Sequence, residues 1–226
     1  MSAEQGHARA QYYLGLMYDF GQGVLQDDTE AAKWYRLSAE QGNASAQYYL
    51  GLMYDFGQGV LQDYVEAEKW YRLSAEQGNA FAQYNLGLMY NNGAGVLQDF
   101  VEAEKWYRLS AEQGNATAQN NLGVMYDNGA GVPQDYAEAV NWYRLSAEQG
   151  NATAQNNLGV MYNDGLGVLQ DYGTAHMWYN IASANGNENA SENRDTVVNM
   201  MTGVAIAEAQ RRARNCLSSD YQDCGG

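Results

Sequence analysis

Apolar positions in residues 42–77 follow a helical period. Ala46, Leu50 and Tyr54 lie four apart, with Met53 beside them, which puts them on one face of a helix. The run breaks at Gly57-Gln58-Gly59-Val60, where the two glycines permit backbone angles that other residues resist. Val60 is expected to turn back into the core. A second run places Ala67, Trp70, Tyr71, Ser74 and Ala75 on one side. Asp63 stands just before it and Glu66 three residues later, the spacing of a reciprocal cap: Asp63 accepts from free backbone N–H groups and Glu66 reaches back. Gly78 occupies the place where a left-handed residue closes a helix. The stretch therefore predicts helix–loop–helix.

Copies of this stretch begin at Gly6, Gly42, Gly78, Gly114 and Gly150, a constant step of 36 residues. The Asp/Glu pairing returns as Asp27/Glu30, Asp99/Glu102 and Asp135/Glu138, while the fifth copy has Thr174 after Asp171. A helix pair cannot bury its apolar stripe alone, and stacked neighbours can. The expected fold is all-α: a right-handed α-solenoid of five repeats (6–41, 42–77, 78–113, 114–149 and 150–185) with no strands. Residues 1–5 match the end of a second helix and read as its remnant. They would leave the first helix partly uncovered, so self-association through this end is expected. Residues 186–226 read as a degenerate repeat and a C-terminal capping helix started by Thr202.

The letters Ala44, Ala46, Gln47, Leu50, Gly51, Tyr54, Gly57, Gly59, Val60, Asp63, Ala67, Trp70, Tyr71, Ala75, Glu76, Gln77 and Gly78 together resemble the Sel-one-like repeat family, a branch of the tetratricopeptide-like repeats. The resemblance spans residues 6–185, and the stretch after it is similar to a capping segment found behind bacterial arrays of this kind. It implies an adaptor or scaffold whose first helices line a concave groove, and bacterial relatives that are secreted or periplasmic. A cysteine-rich branch is credited with penicillin binding and weak β-lactamase activity and carries a cysteine pair in every repeat. The repeats here contain none.

Composition narrows the partners. The formal charge is −15, which repels phosphate backbones and anionic membrane surfaces and steers basic partners inward. No apolar run reaches the roughly 20 residues that span a bilayer, so membrane insertion is not expected. The first residues show no basic-then-apolar signal pattern. Cys216 and Cys224 are disulfide candidates, and a bridge would point to the bacterial periplasm or the exterior; the cytoplasm stays open as the alternative. No metal site, cofactor or catalytic constellation is expected. His7 and His176 lie far from the cysteines, and His176, which aligns with Glu68, reads as a surface residue. The Gly-x-Gly-Val turns lack a following Gly-Lys for phosphate. Asn43, Asn115 and Asn151 formally match glycosylation acceptors but read as turn and cap residues. Arg211, Arg212 and Arg214 read as a charged outer helix face.

Where the copies differ, stacking is expected to be indifferent. The differing columns fall in one stripe of the first helix. Tyr12, Tyr13, Tyr48, Tyr49, Phe81 and Tyr84 supply aromatic rings toward the N-terminus. Asn85, Asn120, Asn121, Asn156 and Asn157 supply amides toward the C-terminus. Tyrosine suits binding hot spots, and asparagine both donates to and accepts from a peptide backbone. The stripe thus reads as a groove for an extended peptide or a partner loop in a non-enzymatic scaffold, with packing of some tyrosines against neighbouring helices as the alternative. Two competing functions are a penicillin-binding activity and a self-assembling structural unit.

Overall fold

The structure, a computed structural model, describes residues 3–224. Among these residues there are twelve α-helices and no strand: α1 (Ala8–Phe20), α2 (Asp28–Ala39), α3 (Ala44–Phe56), α4 (Tyr64–Glu76), α5 (Ala80–Asn92), α6 (Phe100–Glu112), α7 (Ala116–Asn128), α8 (Tyr136–Ala147), α9 (Ala152–Asp164), α10 (Tyr172–Ala184), α11 (Ala190–Val198) and α12 (Gly203–Ser218). The chain divides into two compact units, residues 1–113 and 114–226. In the first, α1/α2, α3/α4 and α5/α6 pair, and each pair packs on the next through α2/α3 and α4/α5. In the second, α7/α8 and α9/α10 pair, and α10 is also covered by α11 and α12. This is the expected all-α solenoid of 36-residue helix–loop–helix units.

The local rules act as the spacing predicts. Asp63 Oδ1 accepts from the N–H groups of Val65 and Glu66 at 2.9 and 3.1 Å, a cap that stabilises a helix by about 1 kcal/mol. Asn43, Asn115 and Asn151 cap α3, α7 and α9 in the same way, and Thr202 caps α12. Gly57 closes α3 at φ 68°. One expectation is corrected. Glu66 does not reach back, because the Asp63 N–H already donates to the Tyr54 carbonyl at 2.9 Å. Glu66 turns outward instead, pairing with Lys69 at 3.1 Å and accepting from Trp70 Nε1 at 3.2 Å.

Ala46, Leu50, Met53, Ala67, Trp70, Tyr71 and Ala75 are all buried, and Val60 packs half-buried against the same core. Leu50 is fully buried, which stabilises by roughly 2 kcal/mol relative to an exposed leucine. Gly51 lies in the middle of α3 because a Cβ there would stand 2.6 Å from the Tyr71 ring. Polar letters join the pairs as well. Ser74 Oγ donates to the Ala44 carbonyl at 2.7 Å. Gln77 Nε2 donates to Gln47 Oε1 at 2.6 Å, and Gln47 Nε2 to the Ala39 carbonyl of the previous copy at 3.1 Å. At the start, Gln11 Nε2 makes the equivalent bond to the Ala3 carbonyl at 3.2 Å, so the turn over residues 3–6 stands where a second helix ends in later copies. Met1 and Ser2, part of the expected remnant, lie outside the described residues.

Candidate functional site

In the first unit, α1, α3 and α5 bring the expected aromatic stripe together. Tyr12 and Tyr49 rings are 6.0 Å apart, Tyr48 and Tyr49 5.4 Å, and Tyr48 and Phe81 6.0 Å. These rings line an open depression of about 370 Å³ with Ser45 and Asn79. Phe81 is 61% exposed and Tyr13 50%, whereas Tyr12, Tyr48, Tyr49, Tyr84 and Asn85 are half-buried. In the second unit, Asn157 Nδ2 donates to Asn120 Oδ1 at 3.2 Å and Asn193 Nδ2 to Asn156 Oδ1 at 2.9 Å. Asn120 Nδ2 donates to Asn121 Oδ1 at 3.3 Å.

These contacts correct the idea that stacking ignores the variable columns. Tyr12 meets Tyr49 across one repeat step, and Asn120 meets Asn157 across another. The columns are joints with two chemistries, aromatic at Tyr12–Tyr49 and amide at Asn120–Asn157. Tyr49 also stacks on buried Tyr35 at 5.2 Å, so packing claims part of the stripe. Asp55, in another variable column, accepts from the Tyr71 hydroxyl at 3.0 Å, as Asp19 does from Tyr35 at 2.9 Å.

Burial pushes the Asp55 carboxyl up from its ordinary range, with the Tyr71 hydrogen bond opposing. A carboxyl raised on folding contributes stability that is full below its unfolded pKa and lost as pH rises through the folded one, so ionised Asp55 weakens the fold at pH 7. Asn91 fills this column in the third copy. Asp55→Asn is therefore expected to raise the thermal midpoint at pH 7, with the gain shrinking toward pH 4. A midpoint below wild type at pH 7 would show that the phenol–carboxylate bond outweighs burial.

His176 is buried, 1% exposed, and not on the surface as its alignment with Glu68 suggests. The column is closed in other copies too, at Ala32 and Val140, and in α10 the cover of α11 and α12 also closes the neighbouring columns that are exposed elsewhere. Met177 and Ile181 are fully buried for the same reason. Asn180 Nδ2 meets His176 Nδ1 at 2.8 Å. Burial first, then the charge of Arg194, pushes the imidazole below its ordinary range, with Asp195 opposing. Cys216 and Cys224 form a disulfide. Arg211 pairs with Glu208 at 2.6 Å on the exposed face of α12, with Arg214 also exposed, whereas half-buried Arg212 turns inward and donates to Thr174 Oγ1 of α10 at 3.3 Å. No group of three or more His, Cys, Asp or Glu placed to hold a metal occurs among the described residues, and no helix among them is long and apolar enough to cross a membrane.

Sequence reasoning passed over one feature. Leu25, Leu61, Leu97 and Leu169 are each 90% exposed or more, one per copy, with Pro133 in the fourth. The same letter recurs in four copies, yet it touches little; no pattern in the chain separates these leucines from the core leucines except their place after the turn.

A family model described as Sel1 repeat matches residues 8–43, 44–79, 80–115, 116–151 and 152–187. The period is the one read above, phased two residues later. No curated protein matches the chain. Among solved structures, the chain is similar to c5321, a protective antigen present in uropathogenic Escherichia coli strains that displays an SLR fold. The identity is 39% and the TM-score 0.85, over 97% of this chain and 48% of that one, so the chain spans about half the length of that protein. It is also similar to a Sel1 repeat protein from Oxalobacter formigenes, with 40% identity and a TM-score of 0.79 over 83% of this chain and 77% of that one. An immunity protein from Pseudomonas aeruginosa, at 20% identity and a TM-score of 0.54 over 95% and 83%, shares the fold. With five consecutive matches over most of its length, the chain belongs to the Sel1 repeat family.

Proposed function

We propose that the chain is a non-enzymatic scaffold that binds an extended peptide or a partner loop along the first-helix stripe. Sel1 repeat proteins are generally protein-interaction scaffolds. The observation that carries the finer reading is the aromatic depression in the first unit, where Phe81 stays 61% exposed beside half-buried Tyr12, Tyr48 and Tyr49. Exposed aromatic rings around a concavity are the residues that dominate binding energy in protein interfaces. The asparagines of α7 and α9 extend the reading to the second unit as backbone-binding amides, where Asn121 and Asn156 are half-buried rather than closed off. The disulfide supports an oxidising compartment, the bacterial periplasm or the exterior, as the setting in which the scaffold works.

The test is capture of native partners by wild-type chain against Tyr13→Ala/Phe81→Ala and, separately, Asn121→Ala. The two aromatic positions are exposed, so their loss spares the core. Partner affinity is expected to fall at least about tenfold in the aromatic variant. Equal capture by all three proteins would rule out the stripe as the binding surface.

A further inference from the structure

We propose that the aromatic depression of the first unit takes a cationic side chain, the guanidinium of arginine or the ammonium of lysine, from the bound segment. This rests on the reading of the stripe as a peptide groove and names what the groove selects.

Three observations converge. The first is the ring geometry: Tyr12, Tyr48, Tyr49 and Phe81 surround one open space, with Ser45 and Asn79 as its polar edge. The negative faces of several rings around one concavity attract a cation, which is how aromatic cages hold ammonium groups. The second is an internal precedent. Arg9 is the one basic residue on α1, α3 or α5, and its guanidinium lies over the Tyr13 ring, 5.7 Å from the centroid. Tyr13 in turn sits 5.3 Å from Tyr12. The stripe therefore already binds a guanidinium at its margin.

The third is uncompensated charge. Residues 1–113 carry seven Lys and Arg against fifteen Asp and Glu. Apart from Arg9, those bases lie on α2, α4 and α6. Five of them pair with a glutamate on their own helix, and Arg36 donates to the Tyr54 hydroxyl. Asp19 and Asp55, on the first helices, form no ion pair among the described residues. Each instead accepts from a phenol, of Tyr35 or Tyr71, whose ring packs against Tyr49 or Tyr48. Two half-buried carboxylates are thus joined, each through one intervening tyrosine, to rings that line the depression. An apolar side chain would leave them as they are, and a cation would answer them.

The experiment uses the full chain and three fluorescent eight-residue peptides that alternate serine with arginine, with citrulline or with norleucine. Citrulline keeps the shape of arginine and removes its charge; norleucine keeps only apolar bulk. Affinities are read by anisotropy at physiological ionic strength, where diffuse attraction is screened beyond about 8 Å. The arginine peptide is expected to bind about tenfold more tightly than the citrulline peptide. Phe81→Leu, which keeps apolar volume and net charge, is expected to weaken it about three- to fivefold, and Tyr48→Leu/Phe81→Leu further. Circular dichroism checks that both variants fold. Arginine binding unchanged in the folded leucine variants would overturn the inference, because the attraction would then be diffuse charge alone. Tightest binding by the norleucine peptide, lost in the same variants, would also overturn it while leaving the groove intact. If none of the three binds, the inference falls and the capture experiment alone decides the groove.

Discussion

Gly59→Ala is expected to destabilise the chain by about 3–4 kcal/mol, and Gly23→Ala by only about 1 kcal/mol. Both glycines hold left-handed backbone, φ 67° and 77°, so both substitutions incur the same local strain. They differ in what lies beyond them. A Cβ on Gly59 would stand 2.1 Å from the Asp28 carbonyl oxygen and 2.8 Å from the Thr29 nitrogen, backbone at the start of the preceding copy's second helix. A Cβ on Gly23 would meet only the Met17 methyl at 3.5 Å, an ordinary contact. Backbone cannot swing aside as a side-chain tip can, so the Gly59 clash must separate α2 from the turn after α3. The same close approach recurs at Gly95, 2.5 Å from the Tyr64 carbonyl, and at Gly167, 2.3 Å from that of Tyr136. Urea denaturation of the two variants measures the difference directly. Equal losses would mean that the joint relaxes and that strain alone makes glycine necessary.

That contrast shows how far the chain could be read as letters. The second glycine of each turn was legible as a left-handed position, and the cap aspartates, the helix pairs and the core alanines followed from spacing. The backbone of a neighbouring copy pressing on Gly59 was not, because a column of identical glycines looks the same whether one constraint holds it or two. Position within the array is also invisible in an alignment. His176 and Met177 occupy columns that are Glu68 and Lys69 in the second copy, yet both are buried under α11 and α12. Met177, apolar where the other copies have Lys33, Lys69, Lys105 and Asn141, hinted at the roof, and the buried Ala32 and Val140 were the sign that the His176 column faces inward. The stripe was legible, but not the part its members take in stacking. Tyr12 with Tyr49, and Asn120 with Asn157, vary as matched sets because each contacts the next repeat. Variation there reflects exchange of one joint chemistry for another; Phe81 meets Tyr48 of the preceding copy yet keeps most of its ring exposed, and Tyr13 meets Tyr12 and Arg9 of its own helix.

Reduction of the Cys216–Cys224 bridge is expected to lower the stability of the second unit by about 2–3 kcal/mol, or roughly 5–10 °C in midpoint. The bridge closes a loop of eight residues, and the entropy withheld from the unfolded chain by so short a loop sets the size of the effect. Its location decides what is lost first. Cys216 is fully buried at the end of α12 and Cys224 is 7% exposed, both in the core with Trp178, Met177 and Tyr143. Between them Asp220 and Tyr221 hold left-handed backbone at φ 50° and 66°, which non-glycine residues adopt at a cost of order 1 kcal/mol each. Tyr221 repays that strain by accepting from Asn185 Nδ2 at 2.8 Å, while the same Asn185 amide donates to Gln155 Oε1 at 2.8 Å. Asn185 stands where earlier copies carry the glutamine of Gln77, so the bridged tail completes the polar rail that joins the repeats. Opening the bridge frees the tail, and Asn185 loses its second acceptor. Amide exchange should then rise first in the last turn of α12 and at Asn185. The matching control is Cys216→Ala/Cys224→Ala, whose midpoint should equal that of reduced wild type and ignore added dithiothreitol. A wild-type midpoint unmoved by dithiothreitol that has demonstrably cleaved the bridge would show that core packing alone holds the cap, and that the cysteines are not structural.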